Sequence, residues 1–340
     1  MSLKTKPSIE DVARLAGVST ATVSRSLNEP GKVKAATLEN VRSAVRELGY
    51  APHFGGRALA SNKSNTVGAL IPTMDNAIFA RGLQALQETL AEAGVTLLIA
   101  TTGYDPDREF DQIQVLLGRG VDGLLLIGLE RPQRTNALLR QHEIPVVAAW
   151  SFRTDSEHLC VGFDNLAAAA DLTNLVLEYG HRQIAMIAGL SHGNDRATDR
   201  IEGVREALQA HNLQLRPDHL IEAPYDIDEA ASAMAQLMAA ERRPTAVICG
   251  NDVLAAGALM YANQAGIAVP DDMSIVGFDD IDLASVTAPP LTTLRVPHRR
   301  MGQAAAELLL AIGDGAEDLK SVKFQPELIV RGSLAEPPST

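Results

Sequence analysis

Apolar residues recur at helical spacing over the first 48 positions, and beyond residue 66 short unbroken apolar runs alternate with further helical stretches. Ile9, Val12, Ala13 and Ala16 line one side of a helix that starts at Ser8, with Asp11 three residues on as in a capping box. Gly17 stops it, because a left-handed residue just past a helix end costs glycine nothing sterically. Ser19 then caps a second helix whose inward positions are Val23 and Leu27, leaving Thr20, Ala21, Ser24 and Arg25 outward. After Glu29-Pro30-Gly31 a third helix is expected within Ala35–Leu48, with Val41, Ala44, Val45 and Leu48 as its stripe and Gly49 as its stop. Tyr50-Ala51-Pro52 closes this module. Residues 53–65 read as a linker whose one helical stretch, Gly56-Arg57-Ala58-Leu59-Ala60, is too short to stand alone.

From Thr66 onward, strands are expected at Val67–Ile71, Val95–Thr102, Gly123–Ile127, Pro145–Ala149, Gln183–Ala188, Thr245–Cys249 and Ser274–Phe278. Helices are expected over roughly Phe79–Ala93, Leu166–Tyr179, Arg200–His211, Glu229–Glu241, Val253–Ala265 and His298–Ala311. Strands apolar on both faces and separated by helices build doubly wound parallel sheets. These units are too many for one sheet. The expected fold class is therefore α/β with two lobes behind an all-α headpiece, and ligand chemistry belongs at the carboxyl ends of the strands.

The outward set Thr20, Ala21, Ser24 and Arg25 is small, polar and cationic, as a helix entering a major groove requires. Ser-capped helix pairs with a glycine corner also occur in proteins that never touch DNA. The formal net charge of −12 argues against DNA binding only if charge is spread evenly. It is not: residues 1–63 hold ten Lys/Arg and five Asp/Glu, the remainder 20 and 37. A basic headpiece meets phosphates while an acidic body stays off the duplex. Cys160 and Cys249 each sit in an apolar run, as buried free thiols of a reducing cytosol do. The polar start lacks a signal-peptide core and the apolar runs are strand-length, so a cytoplasmic protein with no membrane span is expected. No Gly-rich phosphate loop follows a strand, no His-x-x-x-His or Cys-x-x-Cys occurs, and Ser191-His192 has no nucleophile elbow around it. Neither an enzyme nor a cofactor or metal site is expected.

The run Asp11-Val12-Ala13-x-x-Ala16-Gly17-Val18-Ser19-x-x-Thr22-Val23-Ser24-Arg25-x-Leu27-Asn28 resembles the headpiece of the lactose-repressor (LacI/GalR) family of bacterial transcription regulators. The likeness extends from Ser8 to Gly332, and Leu291-Thr292-Thr293-Leu294 matches the family's Pro-x-Leu-Thr-Thr segment. The resemblance implies a body similar to periplasmic sugar-binding proteins, two lobes crossed near Gly162–Asp164, Pro290–Thr293 and Val322–Phe324. It divides the chain into a headpiece (1–52), a hinge (53–65), an N-terminal lobe (66–163 with 294–322), a C-terminal lobe (164–293 with 323–335) and a tail (336–340). The tail carries no leucine heptads, so a homodimer is expected. The implied function is repression at a pseudo-palindromic operator in double-stranded DNA, controlled by a small sugar or sugar-acid effector between the lobes. A free-standing solute-binding protein and a sugar-modifying α/β enzyme are the alternatives.

The same resemblance assigns residues. Thr20, Ala21 and Arg25 fall at base-reading positions, Arg25 suiting guanine O6 and N7, and Ala21 or the Thr20 methyl suiting a thymine methyl. Ser19, Thr22, Asn28 and Lys32 fall where phosphates are held. Leu59 falls where a hinge leucine wedges into a base step from the minor groove. The chain departs from the pattern in two places: Gly55-Gly56 stands where the family usually has a better helix former, raising the cost of hinge folding by about 1 kcal/mol per subunit relative to Ala, and Lys34 stands where the family often has a capping serine. In the body, Arg200, Asn251 and Asp279 fall at effector-binding positions, with Phe79, Trp150 and Tyr225 as stacking walls and Asp164, Asn194 and Arg196 as further candidates. An arginine that donates and an aspartate that accepts together grip vicinal hydroxyls.

Overall fold

A computed structural model describes residues 6–51, 63–75 and 77–338. Contacts divide the chain into two compact units, residues 1–64 and 65–340. The hinge stretch containing Leu59 lies outside the described residues.

The first unit holds α1 (Ile9–Ala16), α2 (Thr20–Asn28) and α3 (Ala35–Leu48). The capping box forms: Asp11 N donates to Ser8 Oγ at 3.3 Å and Ser8 N donates to Asp11 Oδ2 at 2.9 Å. Gly17 and Gly49 end α1 and α3 with φ of 67° and 62°. Val12, Ala13, Val23, Val41 and Ala44 make the buried core, with Ile9, Leu27, Val45 and Leu48 packed around it. Three short helices are stable here because each closes the others' apolar stripe, since none would persist alone. Lys34 precedes α3 and makes no side-chain cap.

The second unit contains two parallel sheets. One runs β11-β5-β4-β3-β1-β2, from β1 (Thr66–Ile71), β2 (Thr96–Thr101), β3 (Gly123–Ile127), β4 (Val146–Ala149), β5 (Leu159–Gly162) and β11 (Val322–Lys323). The other runs β7-β6-β8-β9, from β6 (Ile184–Gly189), β7 (Leu220–Ala223), β8 (Ala246–Cys249) and β9 (Ser274–Val276). A third, antiparallel pair joins β10 (Thr293–Arg295) to β12 (Glu327–Ile329). Strands β1, β3, β4, β6 and β8 are buried at every residue, as continuously apolar runs demand. The covering helices are α4 (Ala77–Glu92), α5 (Pro106–Gly118), α6 (Gln133–His142), α7 (Asn165–Glu178), α8 (Asp195–Ala210), α9 (Ile227–Met238), α10 (Asp252–Gln264), α11 (Asp282–Val286) and α12 (His298–Gly313).

Helix α8 starts at Asp195, five residues ahead of the expected Arg200. Its first turn, Asp195-Arg196-Ala197-Thr198, has no apolar stripe, because polar contacts with the facing lobe bury it. Leu129 N donates to Asp195 Oδ2 at 2.6 Å, and Arg153 pairs with Asp199 at 3.1 Å. Across the cleft Arg81 also pairs with Asp282. Helices α4 and α12 cross back to back at Gly82 and Gly302: a Cβ on Gly302 would overlap the Gly82 main chain, and one on Gly82 would overlap the Trp150 ring. That glycine crossing is what seats Trp150 at the lobe boundary.

Candidate functional site: a headpiece face and an interlobe cleft

On α2 the side chains of Thr20, Ala21 and Arg25 are exposed while Val23 is fully buried, so the helix offers one face and anchors the other. Ser19 caps α2 through Thr22 N at 3.2 Å, and its Oγ lies 2.9 Å from Thr22 Oγ1. Lys32 is exposed and pairs with Glu29 at 3.2 Å. Asn28 ends α2, and its side chain is outside the described set.

In the body, the carboxyl ends of both sheets converge on one polar circuit. Trp150 follows β4, Asn165 opens α7, Arg200 lies on α8, Asp279 follows β9 and His298 opens α12. Asn165 Nδ2 donates to the Trp150 carbonyl at 2.9 Å, and Arg200 Nε donates to Asn165 Oδ1 at 3.0 Å. Arg200 also donates through Nη1 to the Gly250 carbonyl at 2.6 Å, and its guanidinium carbon lies over Phe278, 3.7 Å from the ring centre. From Asp279 Oδ1 the distances to Arg200 Nη2 and His298 Nε2 are 3.8 Å and 3.7 Å. Trp150 Nε1 closes the ring by donating to His298 Nδ1 at 3.1 Å.

The two long gaps both lie at Asp279. Its carboxylate is 1% exposed, and neither oxygen makes a hydrogen bond. Burial pushes its pKa up to about 7 against the opposing pull of Arg200. Neighbouring Asp252 is pushed up to about 8 by burial and by Asp279, although it accepts from Thr293 Oγ1 at 2.6 Å and Ile281 N at 2.8 Å. Burial, then the charges of Arg200 and Arg81, press His298 down to about 3, so its ring is neutral. Tyr104, Trp150 and Asp279 all carry left-handed backbones, with φ of 61°, 63° and 105°. Strain of that kind gathers where surrounding structure holds a side chain for a purpose.

Arg196 is tied to Asp195 at 2.7 Å. Asn194 donates to the Tyr225 hydroxyl at 3.3 Å, and the Tyr225 ring meets Tyr104 with centroids 5.9 Å apart. Tyr104, Gly193 and Arg196 border one narrow hollow of about 40 Å³, whose other walls come from the ends of β1 and β3 and the start of α5, and none of the circuit residues lines it. Phe79 packs edge-on against Trp150 and supports it from within the core. Asn251 caps α10 through Leu254 N at 2.9 Å. Asp164 stands apart from the circuit: it caps α7 through Ala167 N and lies 3.6 Å from Lys323. A wider hollow of about 460 Å³ is lined by His298 together with Arg81, Arg295, Arg299 and Arg331, each paired with a carboxylate, and Arg300, which rests on Phe324.

Sequence reasoning missed His298, Asn165 and Tyr104. His298 carried a signal in its place at the start of an expected helix just beyond the Leu-Thr-Thr segment; Asn165 and Tyr104 had none beyond their loops. Among the described residues no group of His, Cys, Asp or Glu is arranged to hold a metal ion, and no helix is long and apolar enough to cross a membrane.

A helix-turn-helix module joined to a two-lobed α/β receptor defines a ligand-responsive DNA-binding regulator. Residues 8–53 match the model of bacterial regulatory proteins of the lacI family, and residues 173–334 that of a periplasmic binding protein-like domain. The chain is 36% identical over 331 residues to the HTH-type transcriptional repressor PurR of Vibrio campbellii, covering 96% of this chain and 98% of that one. A LacI-family transcriptional regulator from Silicibacter pomeroyi superposes with a TM-score of 0.88 at 26% identity over 97% of this chain and 99% of its own. The transcriptional regulator CelR in complex with cellobiose does so at 0.70 and 30%, over 96% and 99%. The chain belongs to the LacI family of bacterial transcription regulators. It is a cytoplasmic DNA-binding repressor with an effector-binding domain, and not an enzyme.

Proposed function

We propose that the effector is a small sugar or sugar acid held between the lobes, with Arg200 donating to its oxygens and Asp279 accepting from its hydroxyls. In the same reading Asn194, Arg196 and Tyr225 are further contacts, Trp150 backed by Phe79 supplies a wall, and Asn251 and Asp164, which cap α10 and α7, complete the set. The observation carrying this reading is the Asp279 carboxylate, buried without a hydrogen bond 3.8 Å from an arginine at the carboxyl end of the second sheet. An unsatisfied buried carboxylate costs several kcal/mol, and a ligand hydroxyl relieves that cost.

On the DNA side, the proposed base readers are Thr20, Ala21 and Arg25, the phosphate contacts Ser19, Thr22, Asn28 and Lys32, and the minor-groove wedge Leu59. A homodimer places two headpieces on a pseudo-palindromic operator. The proposed lobes are 66–163 with 294–322 and 164–293 with 323–335, and control is differential, since effector and operator favour different lobe arrangements. The experiment is titration calorimetry of a panel of sugars and sugar acids against wild type, Arg200→Ala and Asp279→Ala. Each substitution is expected to cost about 1–3 kcal/mol of effector affinity and to leave operator binding without effector unchanged. Equal affinity in both variants would move the effector elsewhere.

A further inference from the structure

The hydrogen bond between Trp150 and His298 fixes more than a ring position. An indole N–H only donates, so His298 Nδ1 must accept, and the neutral imidazole then carries its single proton on Nε2. Nε2–H is thereby a donor at the cleft, 2% exposed, 3.7 Å from Asp279 Oδ1 and without a hydrogen bond of acceptable geometry. The Asp279 main chain favours the charged ring only weakly, as the smallest of the influences on it. Arg200 is the second donor. Its Nε and Nη1 are engaged by Asn165 and Gly250, and its Nη2 faces the same Oδ1 at 3.8 Å.

Two donors and one acceptor thus converge without touching. An atom that completes all three contacts must accept from Arg200, accept from His298 and donate to Asp279. A hydroxyl oxygen has that inventory, one O–H and two lone pairs. A carbonyl or ring nitrogen has no proton to give Oδ1, and an N–H has no lone pair for the donors. Once Asp279 is ionised, above about pH 7, a ligand carboxylate has neither the proton nor a charge compatible with it.

We propose that His298, held in its Nε2–H form by Trp150, is a specificity-determining residue that selects a hydroxyl of a neutral polyhydroxylated effector, a sugar ring or a ribose, over a sugar acid. This rests on the effector site of the preceding section and narrows it to one of the two ligand classes left open there. It also gives Trp150 a chemical task beyond that of a wall.

The test is titration calorimetry at about pH 8, where Asp279 is ionised, on the full chain with three sets of probes. These are neutral hydroxylated compounds (D-ribose, D-glucose, cellobiose, cytidine, adenosine), their acidic counterparts (D-gluconate, D-glucuronate) and hydroxyl-free bases (adenine, uracil). Binding is expected within the neutral set, with cytidine and adenosine against ribose and glucose separating a nucleoside from a free sugar. Deoxy analogues of the binder, taken one hydroxyl at a time, are expected to reveal one position whose loss costs about tenfold in affinity. His298→Phe keeps a ring beside Trp150 but has no donor; it is expected to weaken the parent compound about tenfold and to leave that deoxy analogue unaffected. His298→Gln, which restores an N–H donor, is expected to recover part of the loss. A packing defect would weaken parent and deoxy analogue alike, so the coupling between them carries the result.

Tighter binding of gluconate, glucuronate or a bare base overturns the proposal, as does a neutral set in which nothing binds. If Arg200→Ala and Asp279→Ala weaken binding as expected while His298→Phe retains it with full discrimination, the effector site stands and the role of His298 falls. If all three variants bind as wild type does, the site itself falls.

Discussion

Asp279 occupies a position where ionisation is costly, and that cost is readable as a function of pH. A carboxyl group whose pKa in the folded chain is raised to about 7 holds its proton where the unfolded chain, with an ordinary value of 3.8, has released it. The stability this contributes is fully present below the unfolded value and is lost as pH rises through the folded one; Asp252, raised to about 8, acts in the same direction. His298 works at the other end. Its value is lowered from 6.5 to about 3, so its contribution is intact above 6.5 and fades only as pH falls below that. Between pH 6.5 and 8.5 the two aspartates therefore set the slope, and the thermal midpoint of the effector-free chain is expected to decline across that window. Asp279→Asn should make the decline shallower. An identical slope in wild type and variant would show that Asp279 is already ionised at pH 6.5.

At the scale of elements, the helix ends explain both what the sequence discloses and what it conceals. Ser8, Gly17, Ser19 and Gly49 each signal a boundary through local chemistry, and each boundary falls where that chemistry places it. Lys34 is the exception, a cation without a cap at an N-terminus whose dipole favours negative charge. Lys34→Ser is expected to stabilise the first turn of α3 by about 1 kcal/mol, read in the full chain as about fivefold slower hydrogen exchange of the Ala36 and Thr37 amides. Unchanged exchange would mean that the turn is held by the packing of α1 alone. Buried strands were legible for a similar reason, since β1, β3, β6 and β8 are apolar at nearly every position. The start of α8 was not, because its first turn is buried by a carboxylate on a main-chain N–H from the facing lobe, which no periodicity in one segment records. β7, half exposed at the sheet edge, carries no apolar run to find it by. Arg200 and Asp279 could be picked out by motif. His298 and Asn165 join them only through the folded chain: Asn165 reaches Arg200 across 35 residues and His298 reaches Trp150 across 148.

The whole molecule keeps its charges apart, with the excess of cations in residues 1–63 and the excess of acids beyond them. Binding to DNA should accordingly fall steeply with salt, through the headpiece, while the body adds no non-specific affinity. Lys32→Ala is expected to weaken binding to every sequence and to flatten the dependence of log K on log salt by about one unit. Arg25→Ala is expected to leave that slope closer to wild type and to lose about 1–3 kcal/mol of discrimination at one base pair. Gel-shift titrations at several salt concentrations separate the two, and equal losses on operator and random DNA for Arg25→Ala would remove it from the base readers. Trp150 is the chain's single tryptophan, buried between α4, α12 and His298 at the boundary of the lobes. Every photon of tryptophan emission therefore comes from the cleft, and the repressor carries its own optical indicator there. Lobe separation would let water reach the indole and move its emission to the red, on the timescale of the motion itself and with no dye attached. Mixing with effector then yields the rate of closure separately from the heat of binding, and a ligand that binds while leaving the emission untouched is bound somewhere else.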